Sequence, residues 1–195
     1  MQPQLHLASM SPRRSELLRQ IGVVHSIIKA DVDETPHTGE NPKGYVLRLA
    51  KEKALAGQAQ LEERGLVLAA DTAVVVDNRI LGKPKDREEA LEMIHLLSGR
   101  THWVYSGVAL AGDSIESRIS ESLVTFREVS MDEAIAYWES GEPTDKAGGY
   151  AIQGLGSIFV ARIEGSFSGV MGLPLFETTQ LLTMAGIDPL TNLNG

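Results

Sequence analysis

The run from Leu66 to Val76 is apolar except for Asp71 and Thr72 in its middle. A run of this kind reads as buried strand. A carboxylate inside it is not cheaply buried unless something pairs with it, so a metal, an arginine or a lysine is expected beside Asp71. The alternative is a strand-end aspartate capping a turn.

Helix and strand signals interleave on both sides of this run. Residues 5–8 form a short apolar run, and Ser11-Pro12 supplies a cap and a first helical residue. The helix that follows should turn Leu17, Leu18 and Ile21 inward and stop at Gly22. A second helix begins near Asn41-Pro42, with Tyr45, Val46, Leu49 and Ala50 as its buried stripe. Asp77-Asn78 reads as a turn into Ile80-Leu81. Asp86-Arg87-Glu88-Glu89 and Ser130-Met131-Asp132-Glu133 read as capping boxes opening two more helices, which end at Gly99 and Gly141. Residues 103–110 and 123–129 are expected as strands joined around Gly112-Asp113. A glycine-rich stretch broken by short apolar runs such as 158–160 then leads to a last helix over about 175–185. No linker, repeat or low-complexity tract divides the pattern, which predicts one mixed α/β domain over 1–195.

A net charge of -8 argues against a broad attraction to nucleic acid or anionic membrane, and no basic, aromatic-studded stretch offsets it. Residues 66–70 are the longest aliphatic stretch, far too short to span a bilayer, and the first residues lack the apolar core of a signal peptide. Without cysteine there are no disulfides, thiolate nucleophiles or cysteine-ligated zinc. The five histidines show no close pairing of the kind that binds zinc on a helix. A cytoplasmic protein is expected, and any anion must be held by a local cluster.

One such cluster opens the first helix. The positive end of a helix dipole favours acids, yet Arg13 and Arg14 occupy the first turn, each costing roughly 0.3–1 kcal/mol. Free backbone N–H groups, the hydroxyls of Ser9 and Ser11 and two guanidinium groups suit a phosphate; the alternative is a pair of solvated arginines. Lys53 lies eight residues after Tyr45 on the apolar stripe of the second helix, where an ammonium either snorkels to water or meets a partner. Lys83 and Lys146 stand in glycine-flanked loops that a phosphate could approach. Glu34, in an acidic loop, either faces solvent or joins Asp71 at a hard cation. Gly154-Leu155-Gly156 is no dinucleotide fingerprint, because Phe159 stands where glycine or alanine is required.

Taken in order, Leu7-Ala8-Ser9-Met10-Ser11-Pro12-Arg13-Arg14, Ala70-Asp71-Thr72, Leu81-Gly82-Lys83-Pro84, Ser98-Gly99-Arg100-Thr101-His102 and Asp145-Lys146-Ala147-Gly148-Gly149-Tyr150-Ala151-Ile152-Gln153-Gly154 resemble the Maf family of nucleotide pyrophosphatases. The resemblance implies an α/β fold with a mixed twisted sheet, flanking helices and two lobes around a cleft, similar to that of the inosine triphosphate pyrophosphatases. It implies hydrolysis of a nucleoside triphosphate between the α and β phosphates, with a divalent cation (magnesium or manganese) and Asp71 as proton acceptor. By the same carry-over Ser9, Arg13, Arg14, Lys53, Lys83 and Lys146 hold the triphosphate, Glu34 and Asp71 serve the metal, and Arg13, Thr72 and Gln153 match positions linked to base choice. Glutamine at 153 fits the dTTP/UTP branch, since an amide both donates to O4 and accepts from N3–H of uracil or thymine. The 7-methyl-GTP branch carries an acid at that position and an aromatic residue at position 13, and this chain has neither. Met10 and the stretch Ser166-Phe167-Ser168-Gly169-Val170-Met171 depart from the family pattern. A homodimer and, as an alternative function, nucleotide sensing in septum formation are also implied at the family level.

Overall fold

The structure, a computed structural model, describes residues 4–63 and 65–190. In chain order the elements are β1 (Leu5–Leu7), α1 (Pro12–Gln20), β2 (Ser26–Ile27), α2 (Pro42–Gln58), β3 (Leu66–Val76), β4 (Arg79–Leu81), α3 (Arg87–Leu97), β5 (Thr101–Ala111), β6 (Ile115–Phe126), α4 (Met131–Glu139), β7 (Val160–Glu164), α5 (Phe167–Met171) and α6 (Leu175–Met184). Short 3-10 turns at Glu142–Asp145, Ala147–Gly149 and Leu155–Phe159 fill the glycine-rich stretch. Among the described residues seven strands form one mixed sheet, ordered β2-β1-β3-β5-β6-β7 with β4 on β3. Strand β1 runs parallel to both neighbours, Leu7 lying opposite Ile27 on one side and Leu68 on the other. The β3–β4 hairpin turns on Asp77 and Asn78, both at positive φ as a tight primed turn demands.

The mixed α/β class and the positions of the main helices follow the sequence reading. Several local expectations do not. Asp86 caps α3 by accepting from Glu89 N, but Glu89 turns its carboxylate to Lys85 N instead of returning it to Asp86, so the capping box is only half formed. The box at Ser130 and Glu133 is complete. Ile21 and Tyr45 are only partly buried. The second long strand runs over Ile115–Phe126 rather than 123–129, because Glu116, Arg118 and Glu121, with the serines among them, hide the part before Leu123 from a hydrophobicity count. Strands β2 and β7 were not expected; β7 pairs antiparallel with β6, and the register shifts between Thr125 and Phe126.

The described residues divide into two compact units, one drawn from the segments 1–71, 106–120 and 172–195, the other from 72–105 and 121–171. One cluster in the core of the first unit is made of small residues. Ala8, Ala50, Ala54, Val67, Ala69, Ala109 and Ala111 pack together between α2 and its strands. Such a surface lets helix and sheet approach closely: a Cβ added to Gly107 on β5 would stand 2.5 Å from the Val46 carbonyl oxygen on α2.

The second unit has a core rich in aromatic residues. Phe126, Tyr137, Tyr150 and Phe159 join Val74, Leu81, Ile94 and Leu97, with Phe126 edge-on to Tyr150 at 4.8 Å and Tyr137 edge-on to Phe159 at 5.1 Å. His102 is buried in this core, bonded through Nε2 to the Tyr150 hydroxyl at 2.9 Å, and its Nδ1 has no partner among the described residues. Burial alone pushes its pKa from 6.5 down to about 4. The folded state therefore resists a proton that the unfolded chain accepts, and the stability present above pH 6.5 is lost as pH falls toward 4, by on the order of 3 kcal/mol. Chemical unfolding at pH 7 and pH 4.5 should show this loss. A His102→Gln variant, which can still bond Tyr150, should show a smaller one; equal slopes for both proteins would remove His102 from the account. No helix among the described residues is long and apolar enough to cross a membrane.

Candidate active site

In the first unit, the loop after β1 delivers Ser9 beneath the start of α1. Ser11 adopts the extended backbone of an N-cap, yet its side chain makes no capping bond and no acid stands in the first turn. The Ser9 hydroxyl accepts instead from Ser11 N and from Arg14 Nη1, both at 3.2 Å. Arg14 Nε donates to the Gly172 carbonyl at 2.8 Å. The guanidinium is thus fixed on two sides by the fold. Burial pulls its pKa below the ordinary value, against the opposite pull of Asp71. Arg13 stands beside it, half-buried in the same turn.

Asp71 lies in β3 at the boundary of the first unit, 7% exposed, and Lys53 reaches it from α2, itself 8% exposed. Lys53 Nζ is 2.6 Å from Asp71 Oδ1 and also 2.6 Å from Glu34 Oε1. One ammonium therefore joins two carboxylates, which answers the demand that the apolar run placed on Asp71. Burial raises the Asp71 carboxyl above its usual range, with Lys53 and then Arg14 drawing it back down. A carboxylate so placed is a better proton acceptor than one in water.

The Glu34 segment, predicted only as an acidic loop, is tied to α2 by residues that carried no sequence signal of such a role. The Tyr45 hydroxyl donates to the Glu34 carbonyl at 3.0 Å. Arg48 grips Glu40 with Nε and Nη2 at 2.7 and 2.8 Å and donates to the Thr35 carbonyl at 3.2 Å. Burial, with the charges of Asp71 and Glu34, pushes the Tyr45 phenol up to about 12, so it stays a neutral donor.

The remaining predicted residues belong to the second unit. Thr72 follows Asp71 directly and is partly buried. The loops of Lys83 and Lys146 are joined where Gly148 N donates to the Gly82 carbonyl at 2.9 Å. Lys83 is exposed, whereas the Lys146 ammonium pairs with its neighbour Asp145. Gln153 is exposed in a loop of its own between Tyr150 and the 3-10 turn at Leu155–Phe159. Within the first unit, then, Ser9 and Arg14 form one bonded group and Lys53, Asp71 and Glu34 another.

Among the described residues no three His, Cys, Asp or Glu side chains cluster as a self-sufficient metal cage. Glu34 and Asp71 nevertheless fit a magnesium-type ion, which is commonly held by one or two carboxylates with substrate phosphates completing its shell. Both present hard oxygen donors to one point, now bridged by the Lys53 ammonium.

Residues 4–185 match the family described as Maf-like protein. The dTTP/UTP pyrophosphatase of Alkalilimnicola ehrlichii is 54% identical over 191 residues, covering 95% of this chain and 95% of its own length. That of Saccharophagus degradans is 53% identical over 182 residues, covering 91% and 87%. A solved nucleoside-triphosphatase / dITP/XTP pyrophosphatase from Mycobacterium abscessus aligns with 97% of this chain and 99% of its own, at 18% identity and a TM-score of 0.48. On the family match and on relatives more than half identical over nearly its whole length, this chain belongs to the Maf-like protein family.

Proposed function

We propose that the chain hydrolyses dTTP and UTP to the nucleoside monophosphate and pyrophosphate. The observation that carries the reading is the buried Asp71 carboxylate, held by Lys53 and lifted above its ordinary pKa in a chain whose relatives bear the name dTTP/UTP pyrophosphatase. In the proposed reaction Asp71 takes a proton from a water whose oxygen forms a bond to the α-phosphorus. The bond from that phosphorus to the oxygen bridging the β-phosphate breaks, and pyrophosphate leaves with the electron pair.

Lys53 keeps Asp71 ionised and oriented for this transfer. Arg14, fixed by Ser9 and Gly172, offers a positive charge that need not reorganise as negative charge moves toward the leaving group. Arg13, Lys83 and Lys146 are assigned to phosphate oxygens, and Arg13, Thr72 and Gln153 to the choice of base. A divalent ion held by Asp71 and Glu34 would supply charge neutralisation on the phosphates and a more acidic water.

A screen of purified protein against canonical and modified nucleoside triphosphates, with and without magnesium or manganese, tests the reading by pyrophosphate release. Turnover of dTTP and UTP well above that of GTP analogues is expected. Equal turnover of 7-methyl-GTP would overturn the base assignment, and no pyrophosphate from any nucleotide would overturn the enzyme.

A further inference from the structure

The backbone on either side of Gln153 ends on one pair of side chains. Tyr137, in α4, donates its hydroxyl to Glu142 Oε1 at 2.7 Å and accepts from Ala151 N at 3.1 Å. Glu142, at the start of the 3-10 turn after α4, accepts from Gly156 N through Oε1 and from Leu155 N through Oε2, both at 2.9 Å. The loop 151–156 is thereby gripped at residue 151 before Gln153 and at residues 155 and 156 after it, all within the second unit. Gly154 completes the fit: its φ of +147° disfavours other residues, and a Cβ there would stand 2.2 Å from Glu142 Oε2. Burial pushes the Glu142 carboxyl up, but the donors around it more than reverse this, leaving it below its ordinary value and ionised at neutral pH.

These bonds meet a need that the exposed glutamine cannot meet alone. A primary amide has a donor end and an acceptor end. In one orientation it complements O4 and N3–H of uracil or thymine; turned over, it complements the amino group and N3 of cytosine. Discrimination therefore depends on presenting Gln153 at a fixed height and direction, so that other polar groups around the base accept only one orientation. A loose loop would follow either base.

We propose that Tyr137 and Glu142 are positioning residues for base selection, clamping the loop that presents Gln153. The proposal rests on the function proposed above and specifies how its preference for uracil and thymine over cytosine is maintained. Tyr137 and Glu142 bond each other and the backbone of this loop and are assigned no contact with the phosphates, so chemistry on a bound nucleotide should be largely spared.

The test measures kcat and KM of the full chain on UTP and CTP for wild type, Glu142→Gln and Tyr137→Phe. Glu142→Gln keeps the shape but can no longer accept from Leu155 N, Gly156 N and Tyr137 at once. Tyr137→Phe leaves the carboxylate and its two backbone bonds intact, and decides the matter alone if the first variant does not fold. The kcat/KM ratio of UTP to CTP should fall about tenfold in Glu142→Gln and by less in Tyr137→Phe, through a raised KM for UTP with kcat within about threefold of wild type. A ratio within about twofold of wild type in the folded variants, or equal loss of kcat on both nucleotides, would assign the pair a merely structural role. A wild-type chain inactive on UTP and dTTP would overturn the functional reading itself, an outcome distinct from failure of the clamp.

Discussion

Asp71→Asn should slow pyrophosphate release from dTTP and UTP by about 10²- to 10⁴-fold, the range typical of a lost general base. Asparagine keeps an oxygen for the Lys53 ammonium, which now sits 2.6 Å from Oδ1, so the local geometry and the fold should survive. What it cannot do is take a proton from water. Binding of a non-hydrolysable triphosphate should therefore stay within a few-fold of wild type, while turnover collapses. In wild type the acid limb of the pH–rate profile should lie above the ordinary carboxylate value of 3.8, because burial has raised the group and only its ionised form is active. Undiminished turnover in the variant would remove Asp71 as the base. Nucleotide binding without turnover in wild type would instead favour the sensing alternative.

Lys53→Met should have the second large effect, and on two quantities at once. It leaves the 7%-exposed Asp71 carboxylate facing Glu34 without the ammonium that joins them, a loss expected to cost about 3 kcal/mol of stability at neutral pH. The sign of its pH dependence follows from the charges. Removing Lys53 removes the strongest force holding the Asp71 pKa down, so the carboxyl rises further and activity is lost more completely at pH 7 than at pH 9. Stability moves the other way, since protonating Asp71 abolishes the unpaired charge; the penalty should shrink as pH falls. Denaturant midpoints and pH–rate profiles of the two proteins check both trends. A variant as stable as wild type with an unshifted acid limb would show that the triad is not coupled as its distances suggest.

Much of this arrangement could be read from the chain and some could not, for reasons particular residues make plain. The Ser130–Glu133 capping box was legible because both halves are local and four residues long. The Asp86 box misled because the same pattern allows Glu89 a nearer rival donor in Lys85 N. The part of β6 before Leu123 was hidden by Glu116, Arg118 and Glu121, with the serines among them. At the candidate site the apolar run around Asp71 announced that a cation must be close, but not whether it was Arg14, Lys53 or a metal. That choice rests on a meeting between residues 18 positions apart, which no local pattern encodes. Tyr45 read as one more buried stripe residue, with nothing to mark its hydroxyl as an anchor for the Glu34 segment. The Tyr137–Glu142 grip on the Gln153 loop was invisible for the same reason.

The close approach at Gly107 bears on all of these. Val46, whose carbonyl oxygen lies where a Gly107 side chain would begin, is seven residues before Lys53, close to two turns along the same helix face. The depth at which α2 beds on β5 therefore governs how far the Lys53 ammonium reaches toward Asp71. In a saturation scan selected on activity, Gly107 should be as intolerant as the charged residues, and even alanine should score as loss of function. The map of what this chain cannot change would then include a position with no chemistry of its own.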